Sequence, residues 1–320
     1  MFSIFLILLG LIIFEIVMSI DNAVVNADVL ASMKTRRARR FFLTWGILFA
    51  VFVVRGFLPS VIVYLADPSI GLWGALEVIW QFDIAASQAV LAVTPIIMMA
   101  GGMFLVLLWE HWLFIEDKNF GLPHEQYIQK YGAVWFYSVA ALLLVGVLIE
   151  INASVLENPM HLALAAAVGF SVFFITQGFK DNAEKIEERL IESGEHSAMS
   201  DWAKVVFLEV LDVAFSIDSV VGAFAFTTVV PFILIGSGLG AIVVRQLTVA
   251  GIDRIRSYSY LKNGAMYSVG FLGGVMLLEA FGVHIPFWIP PIVTIGFVGY
   301  FFWRSIAENK ANGNLKGSVV

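Results

Sequence analysis

The chain has no cysteine, which excludes a disulfide framework and any thiolate metal site. Charge is scarce as well. Only 14% of the 320 residues are charged, against 60% that are hydrophobic. The mean hydropathy is +0.88. A soluble chain of this length would show more charge, and apolar runs of about 20 residues are membrane spans rather than core helices. The net charge is −6, and the basic residues stand in short clusters, so nothing resembles a nucleic-acid footprint. Lys and Arg are missing altogether from residues 66–85, 153–159, 227–228 and 283–285. From Phe2 to Val17 the chain is apolar, with no basic leader and no small-residue cleavage site. That stretch predicts a retained first span, not a signal peptide.

What is present is a series of apolar segments. The predicted fold is all-α: a polytopic helical membrane protein with about nine transmembrane helices, near 3–29, 41–65, 86–112, 133–152, 160–178, 204–226, 229–250, 264–282 and 286–304. Alternating ten-residue strands, the mark of a barrel, are not seen. Basic residues then orient the spans. Lys34, Arg36, Arg37, Arg39 and Arg40 follow the first; Lys118 and Lys130 the third; Lys180, Lys185, Arg189 and Lys204 the fifth. Arg254, Arg256 and Lys262 follow the seventh, and Arg304, Lys310 and Lys316 trail the ninth. With the opposite loops free of Lys and Arg, the positive-inside rule predicts an external N-terminus and a cytoplasmic C-terminus. Residues 179–203 read as a polar cytoplasmic helix and linker, and Trp73 to Phe82 as an interfacial helix anchored by aromatics.

Two of the spans carry the same acidic pattern. Glu15-Ile16-Val17-Met18-Ser19-Ile20-Asp21-Asn22 is matched by Asp212-Val213-Ala214-Phe215-Ser216-Ile217-Asp218-Ser219. Weaker likenesses follow in order: Val53-Val54-Arg55 with Val243-Val244-Arg245, then Gly101-Gly102-Met103-Phe104-Leu105 with Gly273-Gly274-Val275-Met276-Leu277. Because the first span runs inward and the sixth outward, the pattern predicts an inverted repeat of three helices. The domain reading is 1–114 for the first repeat and 115–203 for connecting helices and linker. Residues 204–284 form the second repeat, and 285–320 the final helix and tail.

An ionised Asp at the bilayer centre costs roughly 3 kcal/mol even on lenient insertion scales, so such residues usually mark an ion or substrate path. On a regular helix Glu15, Ser19 and Asn22 share one face, as do Asp212, Ser216 and Ser219. Asp21 and Asp218 fall about 100° away. Either each helix shows two faces to different neighbours, or it unwinds so that all these groups converge; broken helices at midplane ion sites favour convergence. The alternative role is a hydrogen-bonded cluster that only fastens two helices. Every candidate ligand is an oxygen donor: Glu15, Ser19, Asp21, Asn22, Asp212, Ser216, Asp218 and Ser219. Such a set suits Mg²⁺, Ca²⁺ or Mn²⁺, whereas zinc and copper would call for His or Cys. His111, His124, His161, His196 and His284 fall at span ends or in loops, where they read as interfacial or solvated. Arg55 and Arg245 lie inside spans, as counter-charges for the carboxylates or as a tethered cation. Glu209 stands one turn before Asp212, while Glu110, Glu150 and Glu279 sit near span ends as vestibule or hydrated groups.

At these residues the chain resembles the TerC family of integral membrane proteins, within the wider LysE-type transporter superfamily. The resemblance rests on Glu15 to Asn22 with the following Ala23-Val24-Val25, on Asp212 to Ser219, and on Tyr260-Leu261-Lys262 ahead of the Gly273-Gly274 helix. It covers spans one to three and six to eight. It implies an ion site at Asp21, Asn22, Asp212, Asp218 and Ser219, manganese export and tellurium-resistance phenotypes. The expected function is export of a divalent cation, Mn²⁺ first, across a bacterial inner membrane. Mn²⁺ would be the substrate, with no prosthetic group and no enzyme activity, and protonation of a carboxylate would couple release to the proton gradient. The expected partners are the lipid bilayer and the ion, with a second copy of the chain or a stress-response protein left open. The alternatives are a membrane scaffold docking through 179–203, an exporter of an organic solute, and an intramembrane aspartyl protease. The Tyr-Asp and Gly-X-Gly-Asp settings of that protease class are absent around Asp21 and Asp218.

Overall fold

The computed structural model describes residues 2–46, 71–80, 87–117, 121–154, 158–192, 200–256 and 258–311, with isolated positions between 49 and 69. All of its regular elements are helices: α1 (Phe2–Met18), α2 (Ile20–Ser32), α3 (Arg36–Phe41), α4 (Gly71–Trp80), α5 (Ser87–Phe114) and α6 (Pro123–Gly132). They continue as α7 (Phe136–Ala153), α8 (Pro159–Glu192), α9 (Asp201–Ala223), α10 (Val230–Arg256), α11 (Leu261–Ala280) and α12 (Ile289–Ala311). A π-helical turn, Phe42–Gly46, follows α3, and a 3₁₀ turn, Ala133–Trp135, joins α6 to α7. Among the described residues, four stretches are long and apolar enough to cross a membrane: Thr94–Phe114, Pro123–Ala153, Pro159–Asn182 and Ile289–Lys310. Phe2–Met18 and Val230–Gln246 are shorter apolar helices. The chain is an all-α, multi-pass membrane protein. Most of the expected second span, including Arg55, lies outside the described residues.

Two expected spans differ from their prediction. The first is not one helix but two, meeting at Ser19. The fifth does not stop near 178. Asn158, in the left-handed conformation that Asn tolerates (φ 58°), leads into Pro159 at the helix start. Since no proline then interrupts it, α8 runs for 34 residues. That is about 51 Å at 1.5 Å per residue, well beyond a hydrocarbon core of about 30 Å. The polar stretch after 179 therefore begins as the outer end of a span, not as a separate helix.

The core sits where α5, α8 and α11 meet, with Met99, Met103, Leu105, Leu107, Phe173, Val269, Leu272 and Met276 buried together. By contrast α7 leaves Tyr137, Leu142, Val145 and Ile149 exposed, a lipid-facing surface that needs no protein partner. Lipid tails are as apolar as these side chains, so helices in a bilayer gain by close packing at small residues. The two glycine pairs do this reciprocally. A Cβ on Gly102 would stand 2.9 Å from the Leu277 nitrogen, and one on Gly273 only 2.8 Å from the Val106 nitrogen. Gly274 faces open space. Gly273→Ala should therefore cost roughly 1–3 kcal/mol, the usual range for overpacking, while Gly274→Ala should stay within about 0.5 kcal/mol. Thermal unfolding of the two purified variants checks this, and equal losses would refute the interlocked crossing.

Candidate ion site

The first motif is built around Ser19. Its backbone (φ −93°, ψ 2°) leaves the helical region, and its hydroxyl donates to Glu15 Oε1 at 2.6 Å. That bond joins two side chains one turn apart and leaves the backbone carbonyls to the helix. The break is shallow: the Ser19 N–H still reaches Glu15 O at 3.0 Å, and the Ala23 N–H reaches Ser19 O at 2.9 Å. Glu15 is fully buried. Its backbone seat is α10, where a Cβ on Gly240 would meet Glu15 Cβ at 2.6 Å and one on Gly236 would meet Leu11 Cβ at 2.6 Å. This is a Gly-x-x-x-Gly approach, legible in the sequence as Gly236 to Gly240 but overshadowed there by the Gly-Gly pairs. Asp21 and Asn22 fall in the first turn of α2, and their side chains lie outside the described residues.

The second motif behaves differently, because α9 runs unbroken through it. Asp212, Ser216, Asp218 and Ser219 are all buried. Asp212 Oδ1 accepts from Asn26 Nδ2 of α2 at 3.1 Å. Asp218 is turned toward α8, where it forms a buried ion pair with Lys180. The Ser219 hydroxyl donates to Ser216 O at 3.1 Å. The expected convergence through unwinding is thus not seen in this motif: an intact helix keeps Asp212 and Asp218 on different neighbours.

Lys180 and Lys204, counted among the basic residues that follow the fifth span, are both buried within helices. Lys204 Nζ donates to Ser32 O at 3.0 Å and to Ser32 Oγ at 2.9 Å. One turn earlier, Asp201 accepts from the Lys34 N–H at 3.2 Å and the Thr35 N–H at 2.6 Å, and from the Thr35 hydroxyl. Numbers rise along α2 as they fall along α9, so the two helices run antiparallel with Asn26, Ser32 and Thr35 meeting Asp212, Lys204 and Asp201. Glu209 lies within this seam; both its carboxylate oxygens are buried without a hydrogen-bond partner, as is Asn26 Oδ1. A side chain on Gly46 would collide with the Glu209 carboxylate.

On the other side of α9 lies a chamber of about 550 Å³. Its wall includes Val17, Met18 and Ile20 around the Ser19 break, His111, Glu116, Asp117, Gln177, Lys180, Asp181, Asp218 and Lys262. Lys262 pairs with Glu116 at 2.7 Å. His111, expected to be interfacial or solvated, and Glu110, expected to be a vestibule or hydrated group, are both buried; α5 continues past them to Phe114, and His111 also lines the chamber. Arg245 Nε is buried without a hydrogen-bond partner. Among the described residues no three His, Asp or Glu side chains stand together as a metal cage. The sequence reading passed over Glu125, which is fully buried. It accepts from the Leu122 N–H at 2.8 Å and Asn263 Nδ2 at 2.7 Å, pinning α6 to α11.

The fold and these buried charges define a multi-pass helical membrane protein with acidic side chains held inside the bundle. The chain belongs to the family described as "Protein of unknown function (DUF475)", whose model matches residues 20–312. It is also similar to the "Uncharacterized membrane protein YceF" of Bacillus subtilis (strain 168), 34% identical over 85 residues. That match covers 27% of this chain and 33% of the relative, so the chain spans about a third of that protein's length in it. No solved structure matches.

The surface contact at Asp201 has a pH signature. Hydrogen bonds from the Thr35 hydroxyl and backbone hold the Asp201 carboxyl below the ordinary carboxylate range. A folded-state pKa below the unfolded one stabilises fully above the unfolded value, and the gain is lost as pH falls through the folded value. Asp201→Ala should therefore melt earlier than the native chain at pH 7, and the gap should narrow as pH falls below the ordinary carboxylate range. A melting difference that does not change with pH would contradict this account.

Proposed function

We propose that this protein transports a divalent metal cation, Mn²⁺ before others, and that Asp218 and Asp21 are the central ligands. The observation that carries the reading is the chamber: Asp218 and the residues flanking the Ser19 break line one space, which is large enough for a partly hydrated ion. Val17, Met18 and Ile20 of the first motif and Asp218 of the second border that one space, and Asp21 is the carboxylate that the first motif is proposed to bring to it. Glu15, Asn22, Asp212 and Ser219 complete the proposed ligand set from the same helices; Asp212, bonded to Asn26 of α2, and Glu15, packed against Gly240, stand away from the chamber in this structure and join only when the helices rearrange. Hard divalent cations take six or more such ligands, more than either motif offers alone. The chamber also opens among Glu116, Asp117 and Asp181, which draw cations toward its mouth.

The packing supports an inverted repeat. Gly236 of α10 receives Leu11 of α1, and Gly46, at the corresponding place ahead of Arg55, receives Glu209 of α9. The resemblance to the TerC family supports manganese as the cargo and a bacterial inner membrane as the location. The protein acts as a carrier with no catalytic group, its N-terminus external and its C-terminus cytoplasmic. A cysteine introduced at Ser69 in this cysteine-free chain should then react with an impermeant maleimide from outside only. Labelling from the cytoplasmic side alone would reverse the orientation.

The direct test is ⁵⁴Mn²⁺ flux in proteoliposomes with Mg²⁺, Ca²⁺ and protons as competitors. Asp21→Asn and Asp218→Asn should each lower flux at least about tenfold, and the double variant should lose little more, as groups acting as one unit do. Losses that simply multiply would mean two separate sites. Undiminished flux in the double variant would end the metal reading, and no flux in the native protein would favour a scaffold.

A further inference from the structure

Two lysines line the chamber; Lys262 pairs with Glu116, and the role of the other, Lys180, is what the transport reading leaves unexplained. Lys180 leaves the polar end of α8 and points its ammonium inward, to Asp218, where both side chains are only 8% exposed. A lysine near a membrane boundary normally snorkels outward to water. This one forgoes that, so its ammonium is held by the carboxylate. Asp218 Oδ1 is buried without a hydrogen-bond partner, and it sits in the wall of the same chamber. One carboxylate oxygen is thus neutralised by a tethered cation while the other stays unused.

We infer that the Lys180 ammonium is the resident occupant of the cation position at Asp218, and that the substrate ion loads by displacing it. The inference rests on the transport reading and adds the residue that sets which ions qualify. An ammonium is a compact single charge on a flexible four-carbon stem, so it can swing away as an arginine fork seated on two oxygens cannot. Once displaced it has nearby carboxylates: Asp181, which also accepts from Gln177 Nε2 at 2.7 Å, and Asp117, which accepts from Gln129 Nε2 at 3.0 Å. The competition is lopsided. The tether keeps the ammonium beside Asp218, where it already holds an ion pair that a free ion must break. Na⁺ or K⁺ brings the carboxylate no more charge than the ammonium already does. A divalent ion brings twice the charge, and the Coulomb attraction scales with it. Lys180 therefore excludes monovalent cations from Asp218 and admits divalent ones.

The test uses the full-length protein in nanodiscs, with Mn²⁺ binding followed by titration in the presence and absence of 150 mM K⁺ (a chosen condition of about physiological strength). Native protein should bind Mn²⁺ with little effect of K⁺ beyond that of ionic strength, set by a choline control. Lys180→Met, which keeps the stem and removes the charge, should bind Mn²⁺ about tenfold more tightly and become sensitive to K⁺ over choline. Lys180→Arg should keep K⁺ out. Unchanged or weaker Mn²⁺ binding in a folded Lys180→Met protein would overturn the inference and leave Lys180 as a strut. If Lys180→Met does not fold, acylation of Lys180 in the native protein decides. Mn²⁺ should raise its labelling several-fold, and should not do so in Asp218→Asn; no rise in the native protein overturns the proposal. The two readings fail separately. Native protein that binds no divalent ion sinks the transport reading and this one with it. Asp218-dependent Mn²⁺ binding that ignores Lys180 sinks only this one.

Discussion

A carboxylate inside a bilayer-spanning helix persists only where something offsets its lost hydration, and the arrangement of α9 follows from that constraint. Asp218 is met by the Lys180 ammonium of α8 and Asp212 by the Asn26 amide of α2. The two partners lie on different neighbours, so α9 is fixed in rotation as well as in position. A turn of the helix by one residue would move both carboxylates about 100° from their partners. Removing one member of a buried pair leaves an uncompensated charge, a loss of about 3–5 kcal/mol. The acidic motif therefore acts as a rotational key for the bundle. Glu15 is handled more locally: its own Ser19 supplies a donor, and Gly240 lets α10 close over its backbone.

The two motifs share a sequence pattern but not a conformation. Both place serine four residues after the first carboxylate; Ser19 bonds back to it at a position where the backbone leaves the helical region. In α9 the Ser219 hydroxyl bonds within its own helix, and the ladder continues to Ala223. Sequence alone could not separate the cases, since neither motif contains the Pro or Gly that usually signals a break.

Much of the fold was legible. Hydropathy gives the helical membrane class, and the helical period correctly places Asp212 and Asp218 on different faces. What composition cannot show is which way a long side chain bends. The sequence places Lys180 and Lys204 beside a span end, where water is within reach of the stem. The structure turns both inward, toward Asp218 and Ser32, and a partner distant in sequence decides that. Arg55 and Arg245 are conspicuous in the sequence because they lie mid-span, whereas the ion pair seen at Asp218 uses a lysine from a helix end. The long α8 hid it, for a break expected near residue 178 would have placed Lys180 in water.

The polar contacts of α9 divide it into two sides with different consequences. Toward α2, the Asp201–Thr35, Lys204–Ser32 and Asp212–Asn26 contacts form a closed antiparallel seam. Toward α8 the helix faces the chamber, and a single ion pair stands between Asp218 and that space. Any motion that parts α2 from α9 must break several charge-assisted hydrogen bonds together, and two of those contacts begin from the first turn of α9. A motion of the Lys180 side chain needs only rotamer changes and has other carboxylates to receive it. The side of lower resistance is therefore the chamber side. On the transport reading, the ion first meets Asp218 through that wall, and the seam holds the two motif helices together until the site is filled.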